Sequence, residues 1–226
     1  MSHPRSRILD RLRESELTEG QVEPEIPVRR FAWDAVERLE RFRERLEAVR
    51  GEVHLVGADW SARLLGLLQA RGTTGLLYGS GGETGPELES AWRAAGAEGS
   101  GVRLIPYQDP VESFRQTLFD AVDAGFTGCC GAIAETGTLV LWPDAREPRL
   151  LSLVPPIHLV LLDAESIRST FAELLDAQGW GRGMPTNALL ITGPSKSADI
   201  EQTLTYGVHG PKELIVLVRA DGERSG

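Results

Sequence analysis

The spacing of apolar residues changes several times along the chain, and each change marks an element. Residues 5–15 (RSRILDRLRES) read as a short amphipathic helix. Residues 16–28 (ELTEGQVEPEIPV) carry two prolines, a glycine and several charges, the composition of an extended arm. From Trp33 to Arg50, Val36, Leu39, Phe42 and Leu46 recur at spacings of three and four, which predicts a helix with a charged outer face. An alternation follows. EVHLVG (52–57), TGLLYG (74–79) and VRLIP (102–106) read as strands. DWSARLLGLLQARG (59–72), PELESAWRAAG (86–96) and DPVESFRQTLFDAVDAG (109–125) read as helices. This rhythm predicts an α/β fold with a mainly parallel, twisted sheet and helices on both faces. After Gly125 the rhythm breaks. TGCCGAIAETGTLVLWPD (127–144) has the makeup of two strands joined by a Glu-Thr-Gly turn. IHLVLLD (157–163) is a strand and AESIRSTFAELLDAQG (164–179) a helix. NALLITG (187–193), a helix at about 197–206 and KELIVLVRA (212–220) close the domain. The division is therefore an N-terminal helix and arm over residues 1–30, then one domain over 31–226.

Composition narrows the function. The chain has 226 residues and a net charge of −9, with 24 basic against 33 acidic residues. That balance argues against a nucleic-acid backbone or an anionic membrane as partner. No apolar run approaches the roughly 20 residues of a spanning helix, and the N-terminus lacks the apolar stretch of a secretory signal. The two cysteines, Cys129 and Cys130, are adjacent. A cluster needs about four thiolates at set spacings, so the pair predicts neither iron–sulfur nor zinc ligation. They read as small residues in a buried strand, one facing each way, and free thiols fit the cytoplasm. No metal or cofactor is expected.

Candidate chemistry lies in a few places. Glu135 is a lone carboxylate among small residues at a strand end, where desolvation would raise its pKa and make it an acid, a base or a nucleophile. The bland alternative is a solvent-facing turn glutamate with Gly137 supplying backbone freedom. Gly79-Ser80-Gly81-Gly82 lies between a predicted strand and a predicted helix, where backbone amides can cradle an anion, although Thr84 with Glu87 as a capping box explains much of it structurally. Thr192-Gly193-Pro194-Ser195-Lys196-Ser197 is expected to open a helix at the carboxyl edge of the sheet, the edge that ligands of open α/β folds favour. Among the histidines, His209 in a Gly-Val-His-Gly-Pro turn is the candidate for a site. His54 and His158 read as structural, and Arg149 either clamps a carboxylate or pairs with Asp144.

Three blocks add a family to this picture: GAIAETGTLVLW (131–142), RLLSLVPPIHLVLL (149–162) and TGPSKSADIEQTLTYGVHGP (192–211). In this order they resemble the LUD-domain family of the lactate utilisation protein C type, from about residue 45 to 218. The resemblance implies a fold like that of ribose-5-phosphate isomerase, glucosamine-6-phosphate deaminase and the CoA transferases. It also implies a small subunit of a bacterial system oxidising L-lactate to pyruvate. The implied partners are two iron–sulfur proteins, one with its own LUD domain, and a small carboxylate or phosphate ligand. Ala134-Glu135-Thr136-Gly137 resembles the Glu-Asn-Gly stretch holding the nucleophile of one CoA-transferase class, with Thr136 in place of Asn. Residues and resemblance together give a site with Glu135 and His209 as reacting groups and Thr136, Gly137, Ser195 and Lys196 binding ligand, expected to converge at one edge of the sheet with Gly79–Gly82 nearby because each adjoins a predicted strand end. The alternative is a stand-alone CoA-transferase-like or sugar-phosphate enzyme working through Glu135.

Overall fold

The computed structural model describes residues 4–14, 29–81, 83–108, 111–198, 204–207 and 209–220. The expected arm at 16–28 lies outside them. Helix α1 covers Pro4–Glu14 and α2 covers Ala35–Ala48, the latter capped by the Asp34 carboxylate on the Glu37 amide. The alternating part follows as β1 (Glu52–Val56), α3 (Trp60–Ala70), β2 (Gly75–Gly79), α4 (Thr84–Ala94), β3 (Arg103–Tyr107), α5 (Val111–Asp120) and β4 (Ala124–Gly128). Next come the short strands β5 (Gly131–Ile133) and β6 (Thr138–Leu141), α6 (Leu150–Leu153), β7 (Ile157–Asp163), β8 (Ile167–Arg168) and α7 (Phe171–Ala177). The chain ends through β9 (Leu189–Ile191), β10 (Lys196–Ala198), β11 (Leu204–Tyr206) and β12 (Glu213–Arg219).

Six strands form an all-parallel sheet in the order β1-β12-β7-β4-β2-β3. The α/β expectation, a mainly parallel sheet with helices on both faces, is met. Alternate residues of each central strand serve opposite faces. Leu159, Leu161, Ile215 and Leu217 join Trp60, Leu64, Leu68, Leu88 and Trp92 under α3 and α4. Val160, Leu162, Leu214, Val216 and Val218 face the other way, against Phe42 and Leu46 of α2 and Ala132, Leu139 and Leu141. Those last three belong to a second, four-stranded sheet, β8-β5-β6-β9, laid over the first beside α2. Farther along the same face, α5 and α6 cover Leu77.

Two arginines clamp β12 at its ends. Arg71 binds Glu213 and Glu52 at the amino ends of β12 and β1. Arg219 binds Asp163 at the carboxyl end of β7 and Glu87 of α4.

Three sequence expectations change. In place of the helix expected at about 197–206, the described residues pair as antiparallel strands, with Lys196 opposite Tyr206 and Ala198 opposite Leu204; residues 199–203 lie outside the described residues. The predicted helix at 164–179 is a 3-10 turn, then β8, then the shorter α7, because Ile167 is drawn into the second sheet beside Ala132. The helix expected through 125 stops at Asp120, and Ala124 and Gly125 already belong to β4.

Phe42 is fully buried where α2, the main sheet and the second sheet meet. Phe42→Ala is expected to cost about 3–5 kcal/mol, read as a lower denaturant midpoint with an unchanged slope.

Candidate functional site

In a parallel sheet all carboxyl ends share one edge, so each candidate can be placed by the strand end it adjoins. Gly79–Gly81 continue β2 and lie at the carboxyl edge; Gly82 is outside the described residues. Ser195 lies at the other edge. Its amide donates to Pro211 O at 2.8 Å, just before β12, and the Lys212 amide donates to Pro156 O, just before β7. The Gly207 amide donates to Ser195 O at 2.9 Å, and a methyl group on Gly210 would meet Ser195 Oγ at 3.2 Å. Ser195, the exposed Lys196 and the exposed His209 thus gather on the hairpin and its return loop, at the amino edge. The carboxyl-edge placement expected from the sequence does not hold for Ser195 and Lys196. That expectation needed a helix leaving a sheet strand, and the segment is instead a hairpin that returns to the start of β12.

Glu135 sits in the turn between β5 and β6, its amide donating to Ser169 O at 3.2 Å. The turn closes with the Gly137 amide on Ile133 O at 3.0 Å. Gly137 has φ +67, and a Cβ there would lie 2.6 Å from Arg45 Cβ and 2.7 Å from the Leu46 amide nitrogen. Glycine is therefore required both by the left-handed backbone and by the close approach of α2. Gly193 rests on Val49 in the same way, its absent Cβ 3.0 Å from a Val49 methyl. The chain enters the amino end of β1 just beyond that helix, so the Glu135 turn and the Thr192–Ser195 segment share the amino end of the molecule. A hydroxyl relay joins them: Thr136 Oγ1 to Thr138 Oγ1 and Thr138 Oγ1 to Thr192 Oγ1, each 2.7 Å. The Glu135 side chain keeps 22% of its surface in solvent and meets the exposed Arg29 guanidinium at 3.8 Å.

The carboxyl edge is filled differently. A Cβ on Gly79 would sit 2.4 Å from Arg146 O, and one on Gly81 2.6 Å from Arg146 Cβ. These glycines admit the chain's own 144–148 segment. Thr84 does not form the expected capping box. Its hydroxyl serves the Glu147 carboxylate, and Glu87 is turned to Arg219. Glu147 also accepts the Gly128 amide at 3.0 Å. Burial pushes its carboxyl up to about 7, against the pull of the Gly128 and Thr84 hydrogen bonds and with help from nearby Asp144. Sequence reading passed over Glu147 because it stands in an aperiodic, charged loop (DAREPR) that carries no motif.

Of the remaining candidates, His158 is buried and shares a 2.9 Å hydrogen bond with Thr127 through Nε2. Its Nδ1 has no partner among the described residues. Burial lowers its pKa to about 3, so the ring is neutral. His54 bridges Glu52 and Arg63. Asp144 is bound by Arg146, which removes it as a partner for Arg149. Cys129 and Cys130 fall between β4 and β5 rather than in a strand. Their thiols donate to Leu161 O and Val140 O on opposite sides, and burial pushes both upward, Cys130 to about 11. Among the described residues no group of three or more His, Cys, Asp or Glu is placed to hold a metal, and no helix is long and apolar enough to cross a membrane.

The fold and these turns define an α/β protein with an ancillary sheet, and comparison with known proteins gives it a family. The LUD domain matches residues 39–218, so the chain belongs to the LUD-domain family. It is 37% identical to an uncharacterised protein of Neisseria meningitidis serogroup B over 80% of this chain and 77% of that one. It is 39% identical to lactate utilization protein C of Deinococcus radiodurans over 44% of this chain and 47% of that protein. With lactate utilization protein C of Bacillus subtilis it shares 35% identity over 45% of this chain and 44% of that one. The chain thus aligns with under half the length of these two lactate utilization proteins C. The crystal structure of a DUF162 family protein from Deinococcus radiodurans shares the fold, with a TM-score of 0.59 and 23% identity over 83% of this chain and 99% of that one.

Gly137→Ala is expected to destabilise the protein by about 2 kcal/mol or more. A left-handed residue with a Cβ costs about 1–2 kcal/mol, and the contact with α2 adds to it; thermal denaturation measures the sum.

Proposed function

We propose that this chain is the small LUD-domain subunit of a bacterial lactate utilisation system that oxidises L-lactate to pyruvate. Its similarity to the proteins named lactate utilization protein C carries the reading. In this proposal the subunit works in the cytoplasm beside iron–sulfur proteins. It binds a small carboxylate at the amino end of the sheet rather than carrying electrons, and residues 1–30 form an arm ahead of the LUD domain.

Glu135, Thr136, Gly137, Ser195, Lys196 and His209 are the groups assigned to that ligand. The supporting geometry is the hydroxyl relay from Thr136 to Thr192 and the loop contact between Ser195 and Gly210. Lys196 supplies a cation for an anionic substrate, and Glu135 supplies an acceptor. The glycine loop at 79–82 drops out of this assignment, since Arg146 and Glu147 cover its described part.

The test is complementation of a host deleted for this chain, grown on L-lactate. Glu135→Gln keeps the shape and removes the charge. The carboxylate's pairing with the exposed Arg29 is a surface interaction worth about 0–1 kcal/mol, so the fold should be spared. The expected result is loss of growth on lactate with an unchanged melting temperature. Normal growth of the variant would remove the carboxylate from the working site. Turnover of a CoA thioester by the isolated wild-type chain would replace the subunit reading with that of a stand-alone enzyme.

A further inference from the structure

The segment between β6 and α6 crosses the carboxyl ends of β2 and β4, the position where open α/β folds usually present a ligand crevice. Its own hydrogen bonds are internal. The Arg146 and Glu147 amides both donate to Asp144 Oδ1, at 2.7 and 2.9 Å, and the Arg146 guanidinium grips Asp144 Oδ2. The Asp144 amide donates back to Glu147 O at 3.3 Å. A segment wired this way moves as a unit. Its polar attachment to the body is concentrated in one group, the Glu147 carboxyl, which holds the Gly128 amide and the Thr84 hydroxyl. Its packing attachment is the approach of Arg146 to Gly79 and Gly81.

We propose that Asp144–Pro148 is a strap over the Gly79–Gly81 loop, latched by the Glu147 carboxyl in its protonated form and released when that proton is lost. The surroundings explain why the charged form is disfavoured. From the strap itself Asp144 faces Glu147 with a like charge, and Arg146 is already committed to Asp144. From α4 comes the neutral Thr84 hydroxyl, while Glu87 is paired with Arg219. From the β4–β5 corner comes Cys129, whose thiol burial keeps protonated. At the end of β7, Asp163 is held by Arg219. Among the described residues no cation binds the Glu147 carboxyl. Among the described residues the Gly128 amide and the Thr84 hydroxyl stabilise its charge, and burial outweighs them.

The sign follows from linkage. A carboxyl with a raised pKa favours closure fully below its ordinary value of 4.5, and that contribution is lost as pH rises through about 7. Opening returns the group to water. The opening equilibrium should therefore rise on the order of a hundredfold between pH 5 and pH 8, since each unit of pKa difference is a factor of ten.

Hydrogen exchange of the full chain tests this, with rates corrected for intrinsic base catalysis. The Gly128 amide, whose acceptor leaves with the strap, should lose about a hundredfold protection from pH 5 to pH 8, while the strap amides bonded to Asp144 within the moving unit and β7 amides such as Val160 hold theirs. In Glu147→Gln, which keeps the acceptor for Gly128 and cannot ionise, the Gly128 amide should show no pH dependence. Flat protection in the wild type overturns the proposal, whether or not the variant folds. So does an equal loss in the variant, or a parallel loss in β7, which marks global unfolding rather than a strap.

Discussion

The whole molecule depends on the insertion of its last strand. β12 lies between β1 and β7, pairing with five residues of one and seven of the other, so β1 joins the rest of the parallel sheet only through β12. Parallel strands buried on both faces need continuous apolar sequence, and Leu214 to Val218 supply it without a polar interruption. The two arginine clamps sit at the ends of this strand, where backbone pairing stops and charge is allowed. Such non-local pairing carries a loop-closure cost that local contacts do not. The long excursion from β4 to β12 must therefore be held by contacts of its own, and the second sheet and its packing on α2 provide them.

That second sheet explains what the sequence revealed and what it concealed. The uninterrupted apolar runs at 159–162 and 214–218 are unambiguous because burial on two faces leaves no room for another pattern. The β5–β6 hairpin was legible for a related reason, since small and β-branched residues flank a turn with glycine at its left-handed position. The misreadings fall where tertiary contacts outrank local pattern. Ile167 looks like part of a helix until Ala132 is there to pair with it, and the 197–206 stretch has helical composition yet its described residues pair as β10 and β11 ahead of β12. Thr84 and Glu87 match a capping box in sequence, but each finds a more distant partner, Glu147 and Arg219.

Two glutamates show the same limit for the candidate site. Glu135 stood out because its neighbours are small and apolar, and the structure finds it partly solvated beside an arginine. Glu147 stood in a stretch of charge that reads as surface, and the structure buries it against two glycine-rich strand ends. Desolvation is set by what folds over a residue and not by what adjoins it in the chain, so local composition misranked the pair. The cysteines follow the same logic: adjacent in sequence, they face opposite layers because they lie at the corner where the chain leaves one sheet for the other.

The two ends of the sheet are consequently unlike. At the carboxyl end, the glycines that would let a ligand approach the backbone are occupied by Arg146 and Glu147, and a carboxylate of the chain itself sits where an outside anion would be expected. At the amino end, the partly solvated Glu135 stands on a turn packed against the last residues of α2, while the exposed Lys196 opens β10 and the exposed His209 stands in the loop that returns to β12. The usual rule for open α/β folds locates sites from strand direction alone. In this chain the second sheet brings its own turns to the opposite end, so solvent-facing polar groups collect where the rule does not look. The carboxyl end becomes a place where access depends on a single titrating side chain.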